Sequence, residues 1–547
     1  MIPDAPVPKV RRSRLGLSKL AIVGLASVML AACSPGSDGG QEGGADSEST
    51  SVTVAMPDTS EPESGFNPVH GWGAGGHAHE PLIQSTLITT DVDMEFENDL
   101  ATEYSVSDDG LLWSFTIRDD VKFSDGEPLT ASDVAFTIDQ LLTDKSAEAD
   151  LTMVKSVEAT DDTHVEIHLD KPYNALLYTL AVVGIVPEDS YDDTYGENPI
   201  GSGRYLLEEW TQGEEAIFVP NPDYYGEAPV MERVVVAFME EDAALAAVRA
   251  GQVDVAFTSS TYAEQEIDGY ELLSLPTVDS RGLSLPTEPS GGEIEVDDAK
   301  YAVGNDLTSD LDVRRAMFYA LDRDSLIDGV LKGHGTPAFN VSDGMPWSNP
   351  ELEYERDVDK AKQLLDEAGW EDNGGVREKD GVPAQLDVYY PANDTTRQAL
   401  AAEFSNQMGE IGIDVEGIGK PWDEIYDHQF SDPVVWGWGS NSPDELYNLY
   451  YSTGWGNFAS YENEAIDKHL DDALAHGDVE DSFEDWQAAL WDGKDGIGVE
   501  GAATWLWMAN VDHLYFARDG LDTGQQKLHP HGHGWSVVNN VDQWTWN

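Results

Sequence analysis

Apolar and polar positions change their rhythm about halfway along the chain. In the first half the period is two. Ser51-Val52-Thr53-Val54-Ala55-Met56, Leu112 to Ile117 around Trp113, and Val154 to Leu169 broken at Asp161-Asp162 predict strands, the last run as a hairpin. A helix interrupts them: Thr130 to Leu142 opens with Thr-x-x-Asp and keeps Val134, Ile138, Leu141 and Leu142 on one face. After about Asp279 helices alternate with strands. Asp312 is placed to cap a helix carrying Val313, Ala316, Met317, Ala320 and Leu321, and Asp357 to cap another that ends at Gly369. A third helix, starting near Asp394 or Thr395, buries Leu400, Phe404, Met408 and Ile411, stops at Gly412 and runs into a strand from Ile413 to Ile418. This pattern predicts an α/β lobe. Beyond about Arg518 the segments are again short, glycine-rich and strand-like. A chain of 547 residues is too long for one ordinary core, so two or three lobes are expected.

The N-terminus has a different logic. Lys9, Arg11, Arg12, Arg14 and Lys19 precede a short apolar run from Leu20 to Leu30, and Leu30-Ala31-Ala32-Cys33 follows with the only cysteine of the chain. That arrangement resembles a bacterial lipobox. It implies lipidation of the Cys33 sulfur, cleavage before it, and a protein held by its lipid on the outer face of the cytoplasmic membrane. The apolar run is too short to span a bilayer, which takes roughly 18 or more residues. Residues 34–50 are Gly, Ser, Asp, Glu and Gln with hardly an apolar side chain, the composition of a flexible tether. With one cysteine, no disulfide forms within a monomer.

Charge narrows the partners. Thirty Lys plus Arg stand against 104 Asp plus Glu, a formal charge of −74. Such a surface repels nucleic acid and anionic membranes, and it is tolerable where salt shortens the Debye length. A high-salt habitat explains it, as does solubility alone. The chain is nonetheless built to fold, because 40% of its residues are hydrophobic and 16 are tryptophan.

Several motifs occur in one order along the mature chain. They are Asp99-Leu100-Ala101-Thr102, the run Asp108 to Gly126 around Trp113-Ser114-Phe115, Asn198-Pro199-Ile200-Gly201-Ser202-Gly203-Arg204-Tyr205, Asn221-Pro222-Asp223-Tyr224-Tyr225, Ala250 to Ala256 and Asp312-Val313-Arg314-Arg315-Ala316. Together they resemble the family 5 extracellular solute-binding proteins of ABC importers. The resemblance implies a bilobal α/β periplasmic-binding-protein-like fold: two lobes joined by a hinge, the larger formed by both chain ends. Carried onto this chain, residues 1–33 are signal and lipobox, 34–50 tether, 51–280 and 519–547 the larger lobe, and 281–518 the smaller. Crossovers are expected near Asp279 to Gly282 and Arg518 to Gly524. Arg204 stands where the family usually has proline, and a local turn adjustment without functional meaning is expected there. The resemblance further implies a monomer that traps a small solute between its lobes and presents it, unaltered, to the transmembrane subunits of an ABC permease.

Candidate ligand contacts follow. His70 to Glu80 is a glycine-rich loop containing Trp72, His77 and His79, where family members place ligand-contacting residues. His529-Pro530-His531-Gly532-His533 sets three imidazoles at alternate positions, so an extended backbone projects them to one side. Imidazole suits nickel, zinc, copper and iron. His77, His79, His529, His531 and His533 are therefore the candidate metal ligands, with Ni2+ as transported cargo and no cofactor required. The ordinary alternative is solvated or hydrogen-bonded loop histidines. In peptide-binding members an aspartate after a tryptophan pairs with the ligand's ammonium. Here the run is Trp436-Gly437-Trp438-Gly439-Ser440, with Gly439 or Ser440 where that carboxylate falls. Trp436, Trp438 and Ser440 remain candidate contacts, the tryptophans with core packing as the alternative. Nickel or a small nickel chelate is thus favoured over a di- or oligopeptide.

A secreted glycosidase is the competing class, since abundant acids and tryptophans also describe such clefts. Against an enzyme, there is no Gly-x-Ser-x-Gly elbow, Walker lysine loop or dinucleotide glycine pattern, and His79-Glu80 does not extend to His-Glu-x-x-His.

Overall fold

Two β-sheets divide the chain, and the polypeptide passes between them twice. The computed structural model describes residues 50–71, 79–144, 151–296, 299–532 and 534–547. The expectations for residues 1–33 including Cys33, for nearly all of the tether, and for Trp72, His77 and His533 fall outside these residues.

The first sheet has seven strands in the order Tyr270–Leu275, His513–Arg518, Val255–Thr258, Ser51–Met56, Arg233–Phe238, Glu215–Pro220, Tyr205–Thr211. Ser51–Met56 lies at its centre, parallel to both neighbours, with Val52 and Val54 fully buried as the alternation requires. Trp535 and Trp544 from the chain's end complete the same core. One lobe is therefore built from both ends of the chain. A four-stranded antiparallel sheet of two hairpins precedes most of it in sequence, ordered Ala101–Val106, Leu112–Ile117, His164–Leu169 and Val154–Asp161. The hairpin does turn at Asp161-Asp162. Its covering helix, Ala131–Thr143, starts with the anticipated capping box, in which Thr130 N donates to the Asp133 carboxylate at 2.8 Å.

The second sheet orders Gly335–Pro337, Trp505–Val511, Ser280–Ser284 and Val435–Trp438. Helices Leu311–Ala320, Val358–Glu367 and Thr395–Glu410 surround it and bury Val313, Met317, Leu365, Leu400, Phe404 and Met408. Asp357 and Asp394 cap their helices through the Lys360 and Arg397 backbone N–H groups. The first of the three is capped by Asp310, two positions before the expected Asp312, whose N–H becomes the group that Asp310 accepts. The two acids compete, and the one whose backbone is extended takes the cap. Gln385–Pro391 and Asp414–Lys420 pair in parallel around Thr395–Glu410 as a βαβ unit.

The chain leaves the first sheet after Leu275, enters the second at Ser280, and returns between Val511 and His513. The return thus precedes Arg518, and the strand His513–Arg518, assigned above to the smaller lobe, pairs in the first sheet because its partners are Val255–Thr258 and Tyr270–Leu275. Arg204 is more than a turn adjustment: its guanidinium pairs with Asp542 at 2.5 Å and ties the C-terminal segment to the first lobe.

Side chains also join the two lobes directly. Asn174 Nδ2 donates to the Ala473 carbonyl at 2.9 Å, Tyr173 Oη to Asp444 at 3.1 Å, and Lys171 Nζ to Tyr447 Oη at 3.3 Å, while Tyr178 meets Trp347 edge-on at 5.6 Å. These contacts exist only with the lobes together. Asn174→Ala removes one such bond, worth about 1 kcal/mol net, so the open fraction of the ligand-free protein is expected to rise about fivefold. Small-angle scattering checks this; an unchanged radius of gyration and unchanged ligand affinity would count against it.

Candidate functional site

Asp279, the last residue before the strand Ser280–Ser284, sits where the two sheets exchange the chain. Its side chain is 3% exposed, yet it is ionised. Burial pushes the carboxyl up, but the Arg281 charge together with His531 and His513 reverses this and holds it well below the ordinary carboxylate range. Arg281 engages it through both terminal nitrogens, Nη2 at 3.0 Å. His531 Nδ1 is 2.5 Å from Oδ1 and His513 Nε2 is 3.3 Å from Oδ2. Arg281 belongs to the second lobe; His513 and His531 belong to segments of the first.

A second ion pair stands beside it. Arg397 occupies the first turn of the helix Thr395–Glu410, where a cation opposes the helix dipole. Asp394 offsets this: its carboxylate caps the Arg397 N–H at 2.8 Å and binds the Arg397 guanidinium at 2.5 Å. The guanidinium carbon lies 5.6 Å from the Trp422 ring centre. Burial and the neighbouring Arg281 lower the Arg397 pKa from its ordinary value, a measure of how close the two cations stand. The Nε atoms of both arginines are buried without a hydrogen-bond partner.

Gly437 is the point on which these groups converge. A Cβ there would lie 2.8 Å from His531 Cε1, 2.9 Å from Arg281 Nη1 and closer still to Arg397 Nη2. On the opposite face of this strand Trp436 and Trp438 point the other way, as the pleat requires. Trp436 is core: Nε1 donates to Ser284 Oγ at 3.0 Å, and its ring stacks on Phe458 at 4.6 Å and Trp422 at 5.7 Å. Trp438 is half-buried between Trp455 and Trp505. Ser440 Oγ accepts the Ser442 N–H at 3.1 Å.

Among the described residues the two histidine tracts meet without forming a ligand cage. His79 is buried against Gly532, whose Cβ position is 3.0 Å from His79 Cε1. His70, in contrast, pairs with Asp144 at 2.9 Å. His529 turns its ring nitrogens to other protein groups: Nδ1 is 3.1 Å from His513 Nδ1 and Nε2 2.8 Å from Gln526 Oε1. Burial and the neighbouring His513 and His79 push its pKa well down, so it is neutral at pH 7. Among the described residues no group of three or more His, Cys, Asp or Glu is arranged to hold a metal ion. Among the described residues His531 is the predicted imidazole that lies beside the arginines, and its own pKa is lowered by burial despite Asp279.

Asp279 and Arg281 are expected from the sequence only as a crossover, Arg397 lies in none of the family motifs, and Gly437 stands in the Trp436 to Ser440 run without being marked as a contact. One signal was available: in a chain with 30 basic residues, an arginine in the first turn of a helix is out of place electrostatically and invites a partner.

Two α/β lobes joined by paired crossings around a lined boundary define a bilobal binding-protein architecture. Residues 95–460 match the model of the bacterial extracellular solute-binding proteins, family 5 (middle). The chain belongs to that family. It is 33% identical to Protein XP55 of Streptomyces lividans over 90% of this chain and 89% of that one, and 28% identical to the oligopeptide-binding protein AppA of Bacillus subtilis over 86% and 89%. The structure of NikZ from Campylobacter jejuni in complex with Ni(L-His) superposes with a TM-score of 0.74, covering 91% of this chain and 99% of that one at 24% identity. Among the described residues no helix is long and apolar enough to cross a membrane.

Proposed function

We propose that this protein is a receptor, lipid-anchored through Cys33 on the outer face of the cytoplasmic membrane, that captures a small carboxylate-bearing nickel chelate and delivers it to an ABC permease. The observation that carries this reading is the convergence of Arg281, Arg397 and His531, from three distant segments, on Gly437. A bare ion needs several protein ligands, whereas a chelated one brings its own and leaves a coordination position for one imidazole. The chelator's carboxylates then meet guanidinium N–H groups, with the unpartnered Nε donors of Arg281 and Arg397 available to them. A ligand touching both lobes favours the closed form by its differential affinity, and no bond in it is made or broken. The likeness to a fold solved with Ni(L-His) supports nickel as the metal.

A di- or oligopeptide is the second reading, supported by the similarity to an oligopeptide-binding protein and by Glu445, whose Oε1 accepts the Gly439 N–H at 2.9 Å where an ammonium anchor is expected. Burial pushes the Glu445 carboxyl up to about 8, so at pH 7 it is mostly protonated and a poor partner for an ammonium group. Calorimetric titration with nickel plus two equivalents of L-histidine, with nickel alone and with a peptide mixture separates the readings. The chelate is expected to bind more tightly than either alternative. Tight peptide binding with no heat from the chelate would reverse the assignment.

A further inference from the structure

We infer that Ser274, His334 and Asp512 form a clasp at the hinge that holds the two lobes in the orientation seen here. The clasp is independent of which solute the protein carries.

The chain changes lobe at two places, and at the second a single residue, Asp512, separates the strands Trp505–Val511 and His513–Arg518. Rotation of one lobe against the other therefore passes through the backbone dihedrals of Asp512 and of the connection 276–279. These two crossings are laced together. Thr277 Oγ1 donates to the Val511 carbonyl at 2.7 Å, and the Val511 N–H to the Asp279 carbonyl at 2.9 Å. Each of those bonds involves a residue of the connection itself, so the lacing leaves the angle between the sheets free.

Ser274 supplies the missing link. It belongs to Tyr270–Leu275, an edge strand of the first sheet, and its hydroxyl donates to Asp512 Oδ2 at 2.6 Å while His334 Nδ1 lies 2.9 Å from the same oxygen. His334 directly precedes Gly335–Pro337, an edge strand of the second sheet. One hydroxyl thus ties an edge strand of each lobe to the residue at which they swivel. Such bonds are lost beyond about 3.5 Å, so a rotation at Asp512 that carries His334 past Ser274 breaks them.

The turn that presents His334 is itself fixed. Lys332 takes φ +58°, a left-handed conformation uncommon outside glycine, and Gly333 follows at +84°. Lys332 Nζ donates to the Gly329 carbonyl at 2.9 Å, and the Gly333 and His334 N–H groups donate to the Ile327 and Leu331 carbonyls at 3.0 Å each. The same segment meets the first lobe a second time, where Ser260 Oγ donates to the Val330 carbonyl at 3.4 Å. A turn held this firmly transmits motion of the second lobe to His334 rather than absorbing it.

The test is small-angle scattering of the full chain without ligand. Ser274→Ala removes the shared oxygen from an exposed strand position, and the open-to-closed ratio is expected to rise about fivefold. Ser274→Thr, which keeps the hydroxyl on a residue suited to a strand, should scatter like wild type. His334→Ala should open the protein in the same direction, and adding it to Ser274→Ala should change little further. Asn174 joins the lobes at a separate point, so Ser274→Ala in an Asn174→Ala background should multiply the two effects and give a larger radius of gyration than either single variant. Thermal melting checks that each variant is folded. Identical scattering curves for Asn174→Ala with and without Ser274→Ala overturn the clasp. So does a Ser274→Thr that opens as far as Ser274→Ala, or a Ser274→Ala more compact than wild type.

Discussion

Gly437→Val is expected to leave the protein folded and to lower its affinity for the nickel–histidine chelate by about 100-fold or more. The atoms a side chain would strike are the ends of Arg281 and Arg397, long side chains that can move aside, and the edge of the His531 ring. The fold therefore survives. Displacing desolvated charged donors from their acceptor costs about 2–5 kcal/mol of binding, which sets the expected loss. Gly439→Val, two positions on, should do the opposite kind of damage. Its φ is +146°, and a Cβ there would collide with the Val278 carbonyl oxygen, a backbone atom that cannot yield. Loss of folded protein is expected, read by thermal melting and expression. A stable Gly439→Val, or a Gly437→Val with wild-type calorimetric affinity, would contradict this division between a recognition glycine and a folding glycine.

The buried imidazoles make stability depend on pH in a defined direction. His529 and His531 have folded-state pKa values below 6.5, His529 far below, because burial penalises the charged ring. Below pH 6.5 the unfolded chain binds protons that the folded chain refuses, so stability falls as pH falls through that point and is constant above it. His529, whose folded pKa lies far below, contributes a slope of up to about 1.4 kcal/mol per pH unit below 6.5, and the contribution of His531 ends at its own lowered pKa. Asp279, held below its ordinary range, adds a second loss only under about pH 4. Denaturant titrations at pH 5.5, 6.5 and 7.5 should show this, and His529→Gln should remove about one ring's share of the slope. Comparing variant with wild type cancels the general effect of the chain's acidic surface. An unchanged slope in His529→Gln would mean that His529 is not the group responsible.

The local elements were legible because their causes are local. Capping acids at Thr130-x-x-Asp133, Asp357 and Asp394, and alternation in Ser51–Met56 and Leu112–Ile117, act within a few residues. The error at Asp312 is of the same range, since Asp310 offers the same chemistry two positions away. The family motifs proved to be scaffold where their contacts are visible. Asp99 accepts from Tyr225 Oη, and Arg204 pairs with Asp542. They identify the fold while leaving the solute open.

The candidate site was read less well, for a physical reason. Tryptophans and histidines attract attention as residue types, but Trp436 and His529 spend their polar atoms inside the protein, on Ser284, His513 and Gln526. Nothing local marks Arg281 and Arg397 as buried residues; a carboxylate beside each makes their burial possible.

From the sequence alone came the two-lobed α/β family, the acidic character and several of the helices and strands. Those properties depend on composition, on short-range periodicity or on motif order, each of which survives in one dimension. Which residues face one another across the lobes was decided only in three dimensions. Residues 279, 281, 397, 437 and 531 are brought together by two strand crossings and a C-terminal return, and no local rule relates segments so far apart in the chain.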